Sequence, residues 1–161
     1  RAIAFALVFS MMIAPQVGGS AAFRRFIGDE LIPAVEARYR VTGERAIVGE
    51  SLAGLFVLET FFDEPLLFRH YVALDPSVWW NDAAAVDSAP ARLAAMPPAP
   101  RSLFLATSNV KEIAEGTARI AALLEALSPH GLDWKYTPRP DLTHATIFRA
   151  VGPSALASAL R

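Results

Sequence analysis

The sequence contains no cysteine, which excludes disulfide scaffolds, thiolate-bound zinc and cysteine nucleophiles. Charge is scarce and balanced: 15 Lys and Arg against 16 Asp and Glu leave a net charge of −1. That balance offers no basic footprint for nucleic acid and no polybasic patch for a membrane surface. The three histidines, His70, His130 and His144, lack the i, i+4 spacing of a helical metal pair, so a His-rich metal site is not expected. The apolar run over residues 2–14, broken only by Ser10, is thirteen residues long, short of the roughly 20 that a membrane-spanning helix takes. What the chain does have is apolar residues, 53% against 19% charged, which excludes intrinsic disorder. Its 161 residues fit one domain with a sizeable core.

The first segment has two readings. Arg1, the apolar run and the small residues Ser20 and Ala22 resemble a signal peptide, which would place the protein in the periplasm or outside the cell. The same run over residues 3–9 also reads as a strand apolar on both faces, as in a cytoplasmic α/β protein. Residues 1–19 are therefore an apolar leader or edge strand, and residues 20–161 the main domain.

From Ser20, a candidate N-cap, Phe23, Phe26, Ile27, Leu31, Val35 and Tyr39 recur at helical spacing, and Pro33 predicts a bend or split near Ile32. A strand over 45–49 runs into a helix over 52–62. A strand follows over 71–74, then a loop with Pro76, Trp79 and Trp80 and an Ala-rich helix over 83–95. A strand over 102–106, a helix over 112–127, a strand over 132–136 and a helix over 147–160, interrupted at Gly152-Pro153, complete the chain. Such alternation predicts an α/β fold: a mostly parallel sheet between two helical layers, a three-layer α/β/α domain.

The chemistry concentrates in Gly49-Glu50-Ser51-Leu52-Ala53-Gly54, where a buried strand passes through G-x-S-x-A-G directly into an apolar helix. A nucleophilic serine needs this arrangement. Small residues allow a tight turn that lifts the hydroxyl clear of the sheet, and the helix N-terminus aims N–H groups at developing negative charge. A serine hydroxyl also needs a base. His144, in a Pro/Asp loop after the last strand, stands in the right chain order to be that base, whereas His70 and His130 read as structural.

Four blocks carry a family resemblance: Gly49-Glu-Ser-Leu-Ala-Gly-Leu-Phe-Val, the stretch from Leu67 to Asn81, Pro129-His-Gly-Leu, and Asp141-Leu-Thr-His-Ala-Thr-Ile147. They resemble the putative-esterase branch of the α/β-hydrolases, which includes esterase D-like enzymes and the enterobactin and salmochelin esterases, over residues 19–151. The resemblance implies the C-terminal part of an α/β-hydrolase fold that cleaves a small-molecule carboxylic ester, a reaction for which no metal or organic cofactor is expected. It makes Ser51 the nucleophile, His144 the general base and acid, and the Leu52 amide an oxyanion donor. Glu50, Trp79, Trp80 and Asn81 become substrate-binding candidates, with the Trp pair as an acyl- or aryl-binding wall or, on chemistry alone, a core pair. Ser51 and His144 are expected within hydrogen-bond reach.

The chain departs from the family in two places. The acid that orients the histidine usually follows the third strand of this set, but past Ala106 no carboxylate occurs before Glu112. Glu112, Asp141 and a dyad without a close acid all stay open. The family also places several strands before the helix that begins here at Ser20, one of them supplying the second oxyanion N–H. The chain thus resembles an N-terminally truncated esterase and is expected to be a weak catalyst unless residues 10–20, Gly18-Gly19 first, supply that donor. The unpaired edge of the serine-bearing strand is expected to take up the N-terminal strand or to form a homodimer. The alternative function is a catalytically degenerate hydrolase-like domain that binds a small molecule or a partner.

Overall fold

The computed structural model describes residues 3–7 and 19–159. In chain order the elements are β1 (Ile3–Leu7), α1 (Ser20–Phe26), a π-helical turn (Ile27–Leu31), α2 (Ile32–Arg38), β2 (Arg45–Glu50), α3 (Leu52–Asp63), β3 (His70–Leu74), α4 (Trp80–Ala94), β4 (Arg101–Thr107), α5 (Lys111–Leu127), β5 (Leu132–Pro138) and α6 (Ile147–Ala159). The strands form one five-stranded sheet in the order β1-β2-β3-β4-β5. Every pairing is parallel, because each connection returns the chain over a face of the sheet through helix.

Side chains alternate between the two faces, as the two-residue strand period dictates. Ile47, Tyr71, Ala73, Leu103 and Leu105 meet Val57, Leu58 and Phe61 of α3 and Ile120 and Leu124 of α5. Val48, Val72, Leu74 and Ala106 face the other way, onto Ile147, Val151, Ala155 and Ala159 of α6. The fold is the three-layer α/β/α arrangement expected.

The strand read over residues 3–9 is β1 where it is described. It pairs along β2 from Ile3–Arg45 to Leu7–Gly49, so the inner edge of β2 is covered within the chain. Residues 8–18 lie outside the described residues, and with them most of the segment expected to supply the second oxyanion donor.

Three local expectations need correction. Gly19, not Ser20, is the N-cap of α1: its carbonyl accepts the Phe23 N–H at 2.8 Å, so Ser20 is already helical. The break attributed to Pro33 is a widened turn ahead of it, in which the Ile32 N–H reaches back five residues to Ile27. The helix bulges there instead of ending. Gly152-Pro153 does not interrupt α6. The carbonyl that Pro153 leaves free belongs to exposed Arg149, where water can take it.

Candidate active site

The serine stands where β2 turns into α3. Ser51 has φ 61° and ψ −125°, a conformation that a residue with a side chain adopts only under strain. Two glycines make the turn possible. A Cβ on Gly49 would run into the Ala53 carbonyl, and one on Gly54 would lie 3.0 Å from both the Leu74 carbonyl oxygen and Pro76 Cα. The positions that must lack a side chain are therefore 49 and 54, which is why alanine is accommodated at 53. The elbow is fastened to the loop after β3: the Ser51 N–H donates to the Leu74 carbonyl at 3.1 Å, and the Ser77 N–H donates to the Ser51 carbonyl at 3.0 Å. Leu52 opens α3, so its N–H belongs to the first helical turn, whose donors have no intrahelical acceptor.

That same loop holds the central polar group. Asp75 is completely buried (0% exposed), and a buried carboxylate is tolerable only when its oxygens are bonded. Its Oδ1 accepts the Ser108 N–H at 2.7 Å. Its Oδ2 accepts the Ser108 hydroxyl at 2.6 Å and stands 2.6 Å from His144 Nδ1. The Asp75 N–H donates to the Ala106 carbonyl at 2.7 Å, which fixes a backbone held at φ 46°. With Nδ1 as donor to the carboxylate, His144 Nε2 keeps its lone pair, and the side chain is 42% exposed.

Ser51 Oγ bonds Ser77 Oγ at 3.3 Å, and among the described residues no hydrogen bond joins Ser51 to His144. Glu50, at the end of β2, has a buried Oε1 without a partner among the described residues. Burial pushes its carboxyl upward; His144 pulls it back, Asp75 pushes it further up, and the Phe148 backbone lowers it.

The two carboxylates considered from sequence lie elsewhere. Glu112 is exposed on the first turn of α5. Asp141 is ion-paired to Arg139 at 2.6 Å, which holds its carboxyl below the usual range. Neither meets His144; Asp75 does. The sequence carried one signal for it, an aspartate immediately after a strand neighbouring the serine's strand, but Asp-Pro also reads as an ordinary turn. Trp79 is 49% exposed and meets Trp80 edge-on at 5.8 Å. The exposed Asn81 opens a left-handed stretch with Asp82 and Ala83 (φ 52°, 51° and 59°). Trp79 ends the loop that carries Ser77 and caps α4, and Trp80 and Asn81 open that helix. Among the described residues, no group of three or more metal-ligating side chains is arranged around an ion, and no helix is long and apolar enough to cross a membrane.

A serine on a strained strand-to-helix elbow, set in a parallel sheet between helical layers, defines the class as an α/β-hydrolase-type domain. The family described as "Putative esterase" matches residues 10–107, and the chain belongs to it. Over 68 residues it is 43% identical to the ferri-bacillibactin esterase BesA of Bacillus subtilis, covering 42% of this chain and 24% of that protein. Over 75 residues it is 39% identical to a siderophore enterobactin esterase of Emericella nidulans, covering 45% and 25%. The match to an IroE-like serine hydrolase from Shewanella oneidensis has a TM-score of 0.77 at 27% identity, over 88% of this chain and 46% of that one. The aligned stretches thus make up about a quarter of these curated relatives and about half of the solved structure.

Proposed function

We propose that this domain is the serine-bearing part of a carboxylesterase that works through an acyl-enzyme, with Ser51 as nucleophile, His144 as general base and acid, and Asp75 as the residue that positions His144. The observation that carries this reading is the buried Asp75 carboxylate 2.6 Å from His144 Nδ1, on the loop whose Ser77 bonds the Ser51 hydroxyl.

In this mechanism the Ser51 hydroxyl leaves Ser77 by a rotation about χ1 and donates to His144 Nε2. Oγ then bonds the ester carbonyl carbon as its proton passes to Nε2, and the carbonyl π pair moves onto oxygen, where the Leu52 N–H meets the charge. The pair returns, the C–O bond to the alcohol breaks, and the alkoxide takes the proton from Nε2. Water repeats the sequence: it attacks the acyl carbon, gives its proton to Nε2 and releases the acid, and Ser51 regains its hydrogen. Asp75 stabilises the imidazolium without taking its proton. The substrate class follows from the half-exposed Trp79 and its partner Trp80, which suit an ester with a planar aromatic group. The named relatives, esterases of ferri-bacillibactin and enterobactin, point to siderophore esters.

A fluorophosphonate probe tests the assignment. Stoichiometric labelling of the folded protein that disappears in Ser51→Ala is expected. A folded protein that takes up no label refutes the nucleophile and leaves a binding module.

A further inference from the structure

We infer that Ser108 is a positioning residue standing where this kind of fold ordinarily carries its acid, and that it holds the carboxylate supplied instead by Asp75 in the orientation that serves His144; the inference rests on the reading of His144 as the base.

The argument starts from the sheet. β3 and β4 pair in register up to Leu74–Ala106, so the residues just past them, Asp75 and Thr107-Ser108, emerge side by side at one end of the sheet. The loop arriving from β5 brings His144 to the same end. An acid in either loop therefore lies near the imidazole, and this chain has a carboxylate in one and a hydroxyl in the other. The hydroxyl is not idle. Ser108 is 3% exposed and grips both carboxylate oxygens, with its N–H on Oδ1 and its hydroxyl on Oδ2. Two bonds from one residue to the two oxygens fix the plane of the carboxylate. A single bond to His144 would leave it free to turn about χ2. Ser108 is itself held: its Oγ accepts the Val110 N–H at 3.3 Å. The chain of contacts runs from the start of α5 through Ser108 and Asp75 to His144, with Oδ2 shared by the hydroxyl and the imidazole.

A serine that merely filled space would need no such bonds, and alanine would replace it freely. A serine that positions the acid makes three predictions. Ser108→Ala lowers kcat for an aryl ester about 10- to 100-fold and leaves KM within about twofold, because the lost contact acts on the proton transfer and not on the bound ester. A downfield proton for the 2.6 Å Asp75–His144 bond is expected in the NMR spectrum of the unmodified protein and is expected to be lost to exchange in that variant. Moving the acid across the gap restores function: Asp75→Ser loses about 1000-fold or more in kcat, and Asp75→Ser combined with Ser108→Asp recovers at least about tenfold of it, since the carboxylate now stands in the other loop.

The proton signal is read in the folded full chain whether or not it hydrolyses an ester. The positioning role and the esterase reading can therefore fail separately. If Ser108→Ala keeps the unmodified kcat and the downfield proton, the positioning role is overturned while the esterase reading stands. The exchanged-acid variant performing no better than Asp75→Ser also overturns it. If Ser51 takes no fluorophosphonate label, the esterase reading falls even where the proton is present.

Discussion

Glu50 sits one residue before the candidate nucleophile with one carboxylate oxygen buried and unpartnered among the described residues. Burial raises its carboxyl above the ordinary 4.5. The folded state therefore keeps a proton there to a higher pH than the unfolded chain does. Where the folded state binds more protons, stability falls as pH rises. Full stability is present below 4.5 and is lost as the pH climbs through the raised value. Glu50→Gln removes the ionisable group and keeps the shape. The variant is expected to melt at a higher temperature than the unmodified protein at about pH 8, with the difference largely gone at about pH 4, where Glu50 is mostly protonated in both the folded and the unfolded chain. Thermal unfolding at the two pH values measures it. An equal difference at both would mean that the charge of Glu50 is not what costs stability.

At the scale of elements, the loop after β3 is shaped by the helix behind it. Gly116 of α5 faces Val78, which is fully buried between Ser77 and Trp79, and a Cβ there would come within 2.6 Å of Val78 Cγ2. Gly116→Ala sets two effects against each other. Alanine favours the helix by about 1 kcal/mol, whereas overpacking a filled site costs about 1–3 kcal/mol. The clash meets a β-branched side chain in a tight loop, so the cost is expected to win. The melting point should fall by a few degrees, on a scale of about 2–4 °C per kcal/mol at this size, and Trp79 fluorescence should shift with it. A rise in melting point would show that Val78 yields. The helix that ends at α2 teaches a related lesson. Its apolar spacing was legible, but the way Pro33 is accommodated, by a π-helical turn one step earlier, depends on the packing of Ile27 and Ile32 against the α3 side of the core.

At the scale of the molecule the two faces of the sheet are unequally covered. One carries α3, α5 and a large cluster that includes Phe61, Tyr71 and Leu124; the other, among the described residues, carries α6 and mostly smaller side chains. The loop bearing His144 leads straight into α6, so whatever loosens α6 loosens the imidazole. Local opening follows the density of buried apolar contacts. Amide hydrogen exchange is expected to show α6 opening at a lower free energy than α3, with Ile147 and Val151 exchanging well before Val57 and Leu58. Equal protection in both helices would make the domain a single cooperative unit.

Alternating apolar runs, turn residues and the passage of a strand through Gly-Glu-Ser-Leu-Ala-Gly into a helix are local properties. The sequence by itself therefore determined the α/β alternation, the parallel sheet, Ser51 at its elbow and the loop of His144. Position 75 was different. Asp75 meets Ser108, 33 residues on, and His144, 69 residues on. No local pattern encodes those separations, and the expectation drawn from the family placed the acid after β4, where Ser108 stands. Only the register of β3 beside β4, with the β5–α6 loop folded over their ends, decided which carboxylate would be buried against the imidazole. A buried charge takes the partners that the tertiary fold brings to it; Glu112 stays exposed at the surface, and Asp141 pairs there with its neighbour Arg139.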